Sequence, residues 1–309
     1  MLPKGIKEGC KLETIDLNSN QIEGKLPRTL SNCKSLELLD VSNNHILDLF
    51  PLWLGNLPKL RVLVLRSNQL YGTIKGLHNS DLTRDHFSSL QILDLANNTL
   101  SGQLPPKWFE KLKSMMANVD DGQVLEHQTN FSQGFIYRDI ITITYKGFDM
   151  TFNRMLTTFK AIDFSNNSFV GVIPGTIGSL VSLHGLNMSH NNFTGAIPQQ
   201  LGNLAQLESL DLSWNQLSGV IPHELTFLTS LAWLNLSNNN LTGRIPQSNQ
   251  FLSFSNSSFE EASSEDSSLW QDKVGVILLF VFAGLGFVVG FVLTIIFQLV
   301  CQVSLMSAI

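Results

Sequence analysis

Hydrophobic and polar positions along this chain follow one frame that returns about every 24 residues. Over Leu207–Ser230, LESLDLSWNQLSGVIPHELTFLTS, leucines stand at the start and at offsets three and five, and further leucines close the unit. The frame begins at Leu12, Leu36, Leu60, Leu90, Phe159, Leu183, Leu207 and Leu231, which define repeats one to eight. Offset eight is asparagine every time: Asn20, Asn44, Asn68, Asn98, Asn167, Asn191, Asn215 and Asn239. Offset twelve is glycine except at Asp48, and offset fifteen is proline except at Lys75.

Each offset has a physical reading. The two leucines that alternate in the xLxLx core point one way, as the two-residue period of a strand requires. Stacked strands then make a parallel sheet on the concave side. The asparagine amide satisfies backbone groups left over by a sharp turn, so its column is structural and not a binding ladder. Glycine supplies the next bend, and proline opens the convex side. A period of this size with fixed leucines predicts an α/β solenoid: a right-handed leucine-rich-repeat horseshoe or superhelix of the plant-type, 24-residue kind.

The frame breaks once. Residues 1–113 carry repeats one to four and 159–254 carry repeats five to eight, with an island insertion at 114–158. Within the island, Ile141, Ile143 and Tyr145 alternate with Thr142 and Thr144, which predicts a strand turned by Lys146-Gly147. The island is open to two readings, a recognition element or a structural spacer. A shorter insertion in repeat three holds His78, Asp81, Asp85 and His86, whose spacing fits no zinc or calcium motif and reads as a solvated loop.

Residues 255–273 are rich in serine and carboxylates and read as an acidic juxtamembrane linker. Residues 274–297, VGVILLFVFAGLGFVVGFVLTIIF, carry no charge, and at 1.5 Å per residue a helix of that length reaches roughly 36 Å, enough for a bilayer. Within this transmembrane helix Gly286 and Gly290 form a GxxxG, a helix-association motif. The short tail, 298–309, holds no domain, so signalling needs a partner. The opening MLPKGIKEGC has no signal-peptide core, and Leu2-Pro3 already falls on the Ile-Pro offset. The expectation is the C-terminal part of a longer protein or an N-terminally truncated gene product.

A net charge of −5 without a basic run argues against nucleic acid. Cys10, Cys33 and Cys301 are too few for a disulfide framework. A Cys10–Cys33 bridge between consecutive turns is open, with buried free thiols the favoured reading. The aspartates at offset four (Asp16, Asp40, Asp94, Asp163, Asp211) recur without a nucleophile or base. They read as a solvent-facing column, so no catalytic residue, metal or cofactor is expected.

The phrases FKAIDFSNNSF, LHGLNMSHNNFTG, LESLDLSWNQLSG and GRIPQSNQFLSF, together with the island, linker, span and tail, resemble the C-terminal portion of plant leucine-rich-repeat receptor-like proteins of the disease-resistance type. The resemblance implies a single-pass plasma-membrane receptor with extracellular repeats. It implies a protein or peptide ligand and a partner receptor-like kinase, in defence or developmental signalling. Departures are the absent signal peptide and N-terminal cap, the missing cysteine pair after NSSF, and a tail without basic residues. Three alternatives stay open. These are an interfering truncated product, an enzyme-inhibitor-type repeat protein, and a tail-anchored cytosolic orientation.

Sequons at Asn97, Asn130, Asn166, Asn187, Asn192, Asn235, Asn240 and Asn256 fit a glycoprotein, although the repeat itself generates several. On the concave face His184, His190, Trp214 and Trp233 depart from the small consensus residues. They are the candidate partner-contact residues, against the simpler reading that their rings cover the sheet.

Overall fold

The computed structural model describes residues 5–74, 86–116, 141–152, 158–247 and 250–260, all within one compact unit, Met1–Ser263. The span at 274–297 with Gly286 and Gly290, the tail, Asn130, and His78, Asp81 and Asp85 lie outside the described residues. Among the described residues no helix is long and apolar enough to cross a membrane, and no cluster of metal-ligating side chains occurs.

Each repeat gives its core a three-residue strand, and the eight strands form one parallel sheet in sequence order. They are Thr14–Asp16, Leu38–Asp40, Val62–Val64, Ile92–Asp94, Ala161–Asp163, Gly185–Asn187, Ser209–Asp211 and Trp233–Asn235. The middle residue of each strand faces inward, and Leu39, Leu63, Leu93, Ile162, Leu186, Leu210 and Leu234 are buried. The register stays constant, with Leu38 opposite Val62 and Ser209 opposite Trp233. It also crosses the island unchanged: Ala161 pairs with Ile92 and Asp163 with Asp94.

The asparagine column explains why the stack repeats. In Asn191, Nδ2 donates to the carbonyls of Met188 and Ser189 in its own turn and of Phe164 in the preceding one. Its Oδ1 accepts the Phe169 N–H of that preceding turn. Asn44, Asn68, Asn98, Asn167, Asn215 and Asn239 repeat this pattern. A buried amide that satisfies four backbone groups explains why offset eight never varies.

Four features go beyond or against the sequence reading. A second parallel sheet, formed by Tyr71–Thr73, Thr99–Gly102, Ser168–Gly171, Asn192–Gly195, Gln216–Val220 and Asn240–Thr242, follows the asparagine turn along one flank. The convex side consists mainly of five-residue 3-10 helices such as Gly175–Ser179 and Gln199–Asn203. Cys10 and Cys33 form a disulfide, so the free-thiol reading is corrected. Their separation of 23 residues, one less than a repeat, sets them side by side on successive turns. Finally, residues 255–260 of the expected linker are packed: Ser258 and Glu260 carbonyls accept the Leu236 and Asn238 N–H groups, and Phe259 is buried.

Candidate functional site

The island's described part is a hairpin, Ile141–Tyr145 paired antiparallel with Phe148–Phe152. Lys146 (φ 52°) and Gly147 (φ 78°) both take positive φ, as a two-residue hairpin turn requires. Alternation decides its faces. Ile141, Ile143 and Tyr145 point down and are buried, while Thr142 and Thr144 pair with Thr151 Oγ1 and Asp149 on the other face.

The hairpin lies on the concave sheet. Ile141, Ile143 and Tyr145 join Leu38, Val62, Val64, Ile92, Phe159 and Ala161 in one buried cluster. Most of these sheet residues occupy offset two, a row that reads Leu38, Val62, Ile92, Ala161, Gly185, Ser209, Trp233. Its members change size to suit the hairpin. Gly185 leaves room for the Tyr145 ring, which lies 3.1 Å from where a Cβ would stand. Ser209 Oγ accepts the Lys146 N–H at 3.2 Å. Gly147 lies against the Trp233 ring, 3.0 Å from where its own Cβ would stand.

Polar contacts pin both ends. Tyr145 donates its hydroxyl to Glu208 at 2.7 Å, and Lys146 Nζ reaches the same carboxylate at 2.8 Å while standing over the Tyr145 ring. The Lys146 hydrogen bond holds the Glu208 carboxyl below its ordinary range, and burial with the Glu208 bond raises the Tyr145 hydroxyl. On the second strand, Asp149 meets Arg66 at 3.4 Å.

Arg66 also faces Asp94, with Nε 3.8 Å from Oδ2. Asp94 is 1% exposed and Asp163 5%, so the expected solvent-facing column is corrected in this region. Burial pushes the Asp163 carboxyl up to about 6. Burial, and then the charge of Asp163, hold Asp94 well above its ordinary value. A cavity of about 20 Å³ between hairpin and sheet is lined by Asp94, Thr144, Tyr145 and Asp163 among others. This is room for about one water.

The four residues expected to form a partner surface separate into two groups. His184 and Trp233 are half-buried at the hairpin: the His184 ring lies 5.5 Å from that of Phe159, tilted by 34°, and Trp233 backs the turn. The covering reading applies to them. His190 and Trp214 stand together, with rings stacked at 5.3 Å and 11° and Trp214 53% exposed. Both occupy the left-handed offset seven, with φ of 51° and 53°. Other repeats place serine or asparagine there, which tolerate that backbone or carry little bulk; a tryptophan at positive φ is an outlier. Phe148 and Met150 are exposed on the hairpin's second strand. Among the sequons, Asn97, Asn166, Asn192, Asn240 and Asn256 are exposed, and Asn187 and Asn235 are half-buried on the concave face.

Leucine-rich-repeat family models match residues 10–70 and 182–241, and a second such model matches 89–112 and 158–180. The chain is similar to Receptor-like protein 53 of Arabidopsis thaliana, 43% identical over 182 residues, which are 59% of this chain and 18% of that protein. It is similar to Receptor-like protein 19 of the same plant, 44% identical over 188 residues, again 59% and 18%. The chain therefore spans less than a fifth of these relatives' length. Among solved structures it is similar to the ectodomain of the Arabidopsis receptor kinase HAESA in complex with an extended IDA peptide hormone. That match has a TM-score of 0.53 and 27% identity, and covers 75% of this chain and 31% of the other.

Proposed function

Because the chain belongs to the leucine-rich-repeat receptor-like proteins of plants, we propose that it recognises a peptide or protein ligand through extracellular repeats and signals with a partner receptor kinase. In this reading the span at 274–297 anchors it in the plasma membrane, and its work is binding, not catalysis. The Cys10–Cys33 bridge supports passage through an oxidising compartment.

The observation that carries the reading is the His190–Trp214 pair. Keeping a bulky ring at positive φ costs on the order of 1–3 kcal/mol, and such strain gathers at functional positions. The pair is exposed, aromatic and carried by repeats six and seven, near the C-terminal end of the stack. Tryptophan is also enriched at binding hot spots. Trp233 leaves the proposed surface because it supports the hairpin turn.

The test replaces both residues by asparagine, the residue that repeats two, four, five and eight carry at the same left-handed position. Co-precipitation with candidate receptor kinases is expected to fall by about tenfold or more, the loss of a hot spot. The same variant should fold at least as stably as wild type. Equal recovery of the kinase by the folded variant would make the pair a surface ornament.

A further inference from the structure

The buried carboxylates beneath the hairpin are used by nothing proposed above. Asp94 and Asp163 are register partners on neighbouring strands, so their backbones lie roughly 4.8 Å apart. Asp94 Oδ1 accepts the Ala96 N–H, but its buried Oδ2 has no hydrogen-bond partner. Asp163 is better served, accepting the Ser165 N–H and the Asn187 amide. The hairpin adds a third carboxylate, Asp149, and the three share one guanidinium, Arg66. Asp149 is largely exposed, so the imbalance lies with the two buried carboxylates: one positive charge does not balance both, and like charges on adjacent strands disfavour ionising both.

We propose that the island hairpin is a proton-tightened cover: seating it on the concave sheet takes up protons at the Asp94–Asp163 pair, so it holds the apolar row closed in acid and loosens as pH rises. The site needs no ligand to work in this way. A proton on the pair supplies the missing donor for Asp94 Oδ2 and removes a charge that Arg66 cannot neutralise.

The sign follows from which state holds the proton. With the hairpin away, both carboxyls regain water on the concave side, and their values fall back toward the ordinary aspartate range. With it seated, Asp163 titrates at about 6 and Asp94 is also raised. Their contribution to seating is therefore complete below the ordinary aspartate range and is lost as pH climbs through about 6. Asp40, on the next strand but one, is raised by its own burial in the sheet.

Other titratable groups also face the hairpin. Glu208 is lowered by its Lys146 bond, so its help is present above the ordinary glutamate range and fades as pH falls below it. His184, lowered by burial, opposes the pair because seating favours its neutral form. It is half-buried and single, whereas the two aspartates are almost wholly buried. Lys160, lowered by burial, and Tyr145, raised by it, act toward the alkaline end.

Amide hydrogen exchange on the full chain in mild detergent tests this, with labelling times scaled for the intrinsic pH dependence of exchange. Protection of the Ile141–Tyr145 amides should fall at least about tenfold between pH 5 and 7, one proton's worth over part of its window. Amides of Ser209–Asp211 should not change. Asp94→Asn with Asp163→Asn should abolish the fall, since asparagine cannot titrate and keeps one acceptor oxygen at each position, enough for the Ala96 and Ser165 N–H groups. Asp149→Asn, which leaves the sheet untouched, should lower protection at both pH values and keep the slope. His184→Gln should steepen it. Flat wild-type protection from pH 5 to 7 overturns the proposal. So does a slope that survives in the folded double variant, or a slope lost in Asp149→Asn alone.

Discussion

The concave face of repeats two to five and that of repeats six to eight share one backbone and differ in what stands on it. In the first region, offset two is Leu38, Val62, Ile92 and Ala161, and the hairpin's apolar face covers it. In the second the row shrinks to Gly185 and Ser209, and Trp233 closes it against the turn. The bulky exposed rings there move to offset seven, at His190 and Trp214. A repeat fixes the scaffold through its conserved offsets and leaves occupancy to the variable ones. The same aspartate column is sealed where the hairpin lies and half-open at Asp211 beyond it.

Breaking the covered half should have the largest effect. Ile143→Asp places a carboxylate against Val62, Val64 and Ile92 and should weaken seating by roughly 3–5 kcal/mol, as an unpaired buried charge does. Exchange protection of the Ile141–Tyr145 amides should collapse while the solenoid strands keep theirs. Equal loss in both would mean that the hairpin is integral to the repeat fold, and no loss would mean that it does not seat as described.

A smaller effect is expected at the boundary between the halves. In Gly185→Val the new side chain meets the Tyr145 ring, which must shift and strain the Glu208 bond. Overpacking of this kind costs about 1–3 kcal/mol. Local exchange at Tyr145 should rise, with little change in thermal unfolding of the full stack. Unchanged exchange at Tyr145 would place the ring elsewhere.

Much of the scaffold was legible because its determinants are local. Asn191 can be read from its offset alone, since the groups it satisfies belong to its own turn and the one before it. The hairpin's strand and Lys146-Gly147 turn were equally legible from alternation. Its landing place was not, because the signal runs across repeats. Leu38, Val62, Ile92 and Ala161 are apolar residues of the concave face, and only stacking the repeats brings them into one row. The same blindness put Trp233 on an open surface. The Cys10–Cys33 bridge was legible as an option, since 23 residues along the chain is one step across the stack, but three cysteines alone did not favour it over free thiols. The second sheet escaped because glycine, serine and asparagine at its positions carry weak strand preference.

The smallest expected effect is on modification, not stability. The Asn187 amide donates to Asp163 beneath the hairpin, whereas Asn192 lies exposed on the flanking sheet. In secreted material Asn192→Gln should remove one glycan's worth of mass and Asn187→Gln none. Mass spectrometry finding a glycan on Asn187 would mean that the hairpin seats late or not at all during maturation.

The sheet joins Ala161 to Ile92 with the pairing that Gly185 and Ser209 make without any insertion between them. For the solenoid, then, the junction between repeats four and five is a port. The entropy of closing a loop grows only logarithmically, by about 0.6 kcal/mol for each doubling of length. A gene line can therefore exchange what is plugged in there at almost no cost to the frame. Each new plug is judged chiefly by how well it fits the row of side chains it lands on, so cassette and landing row should evolve as a matched pair.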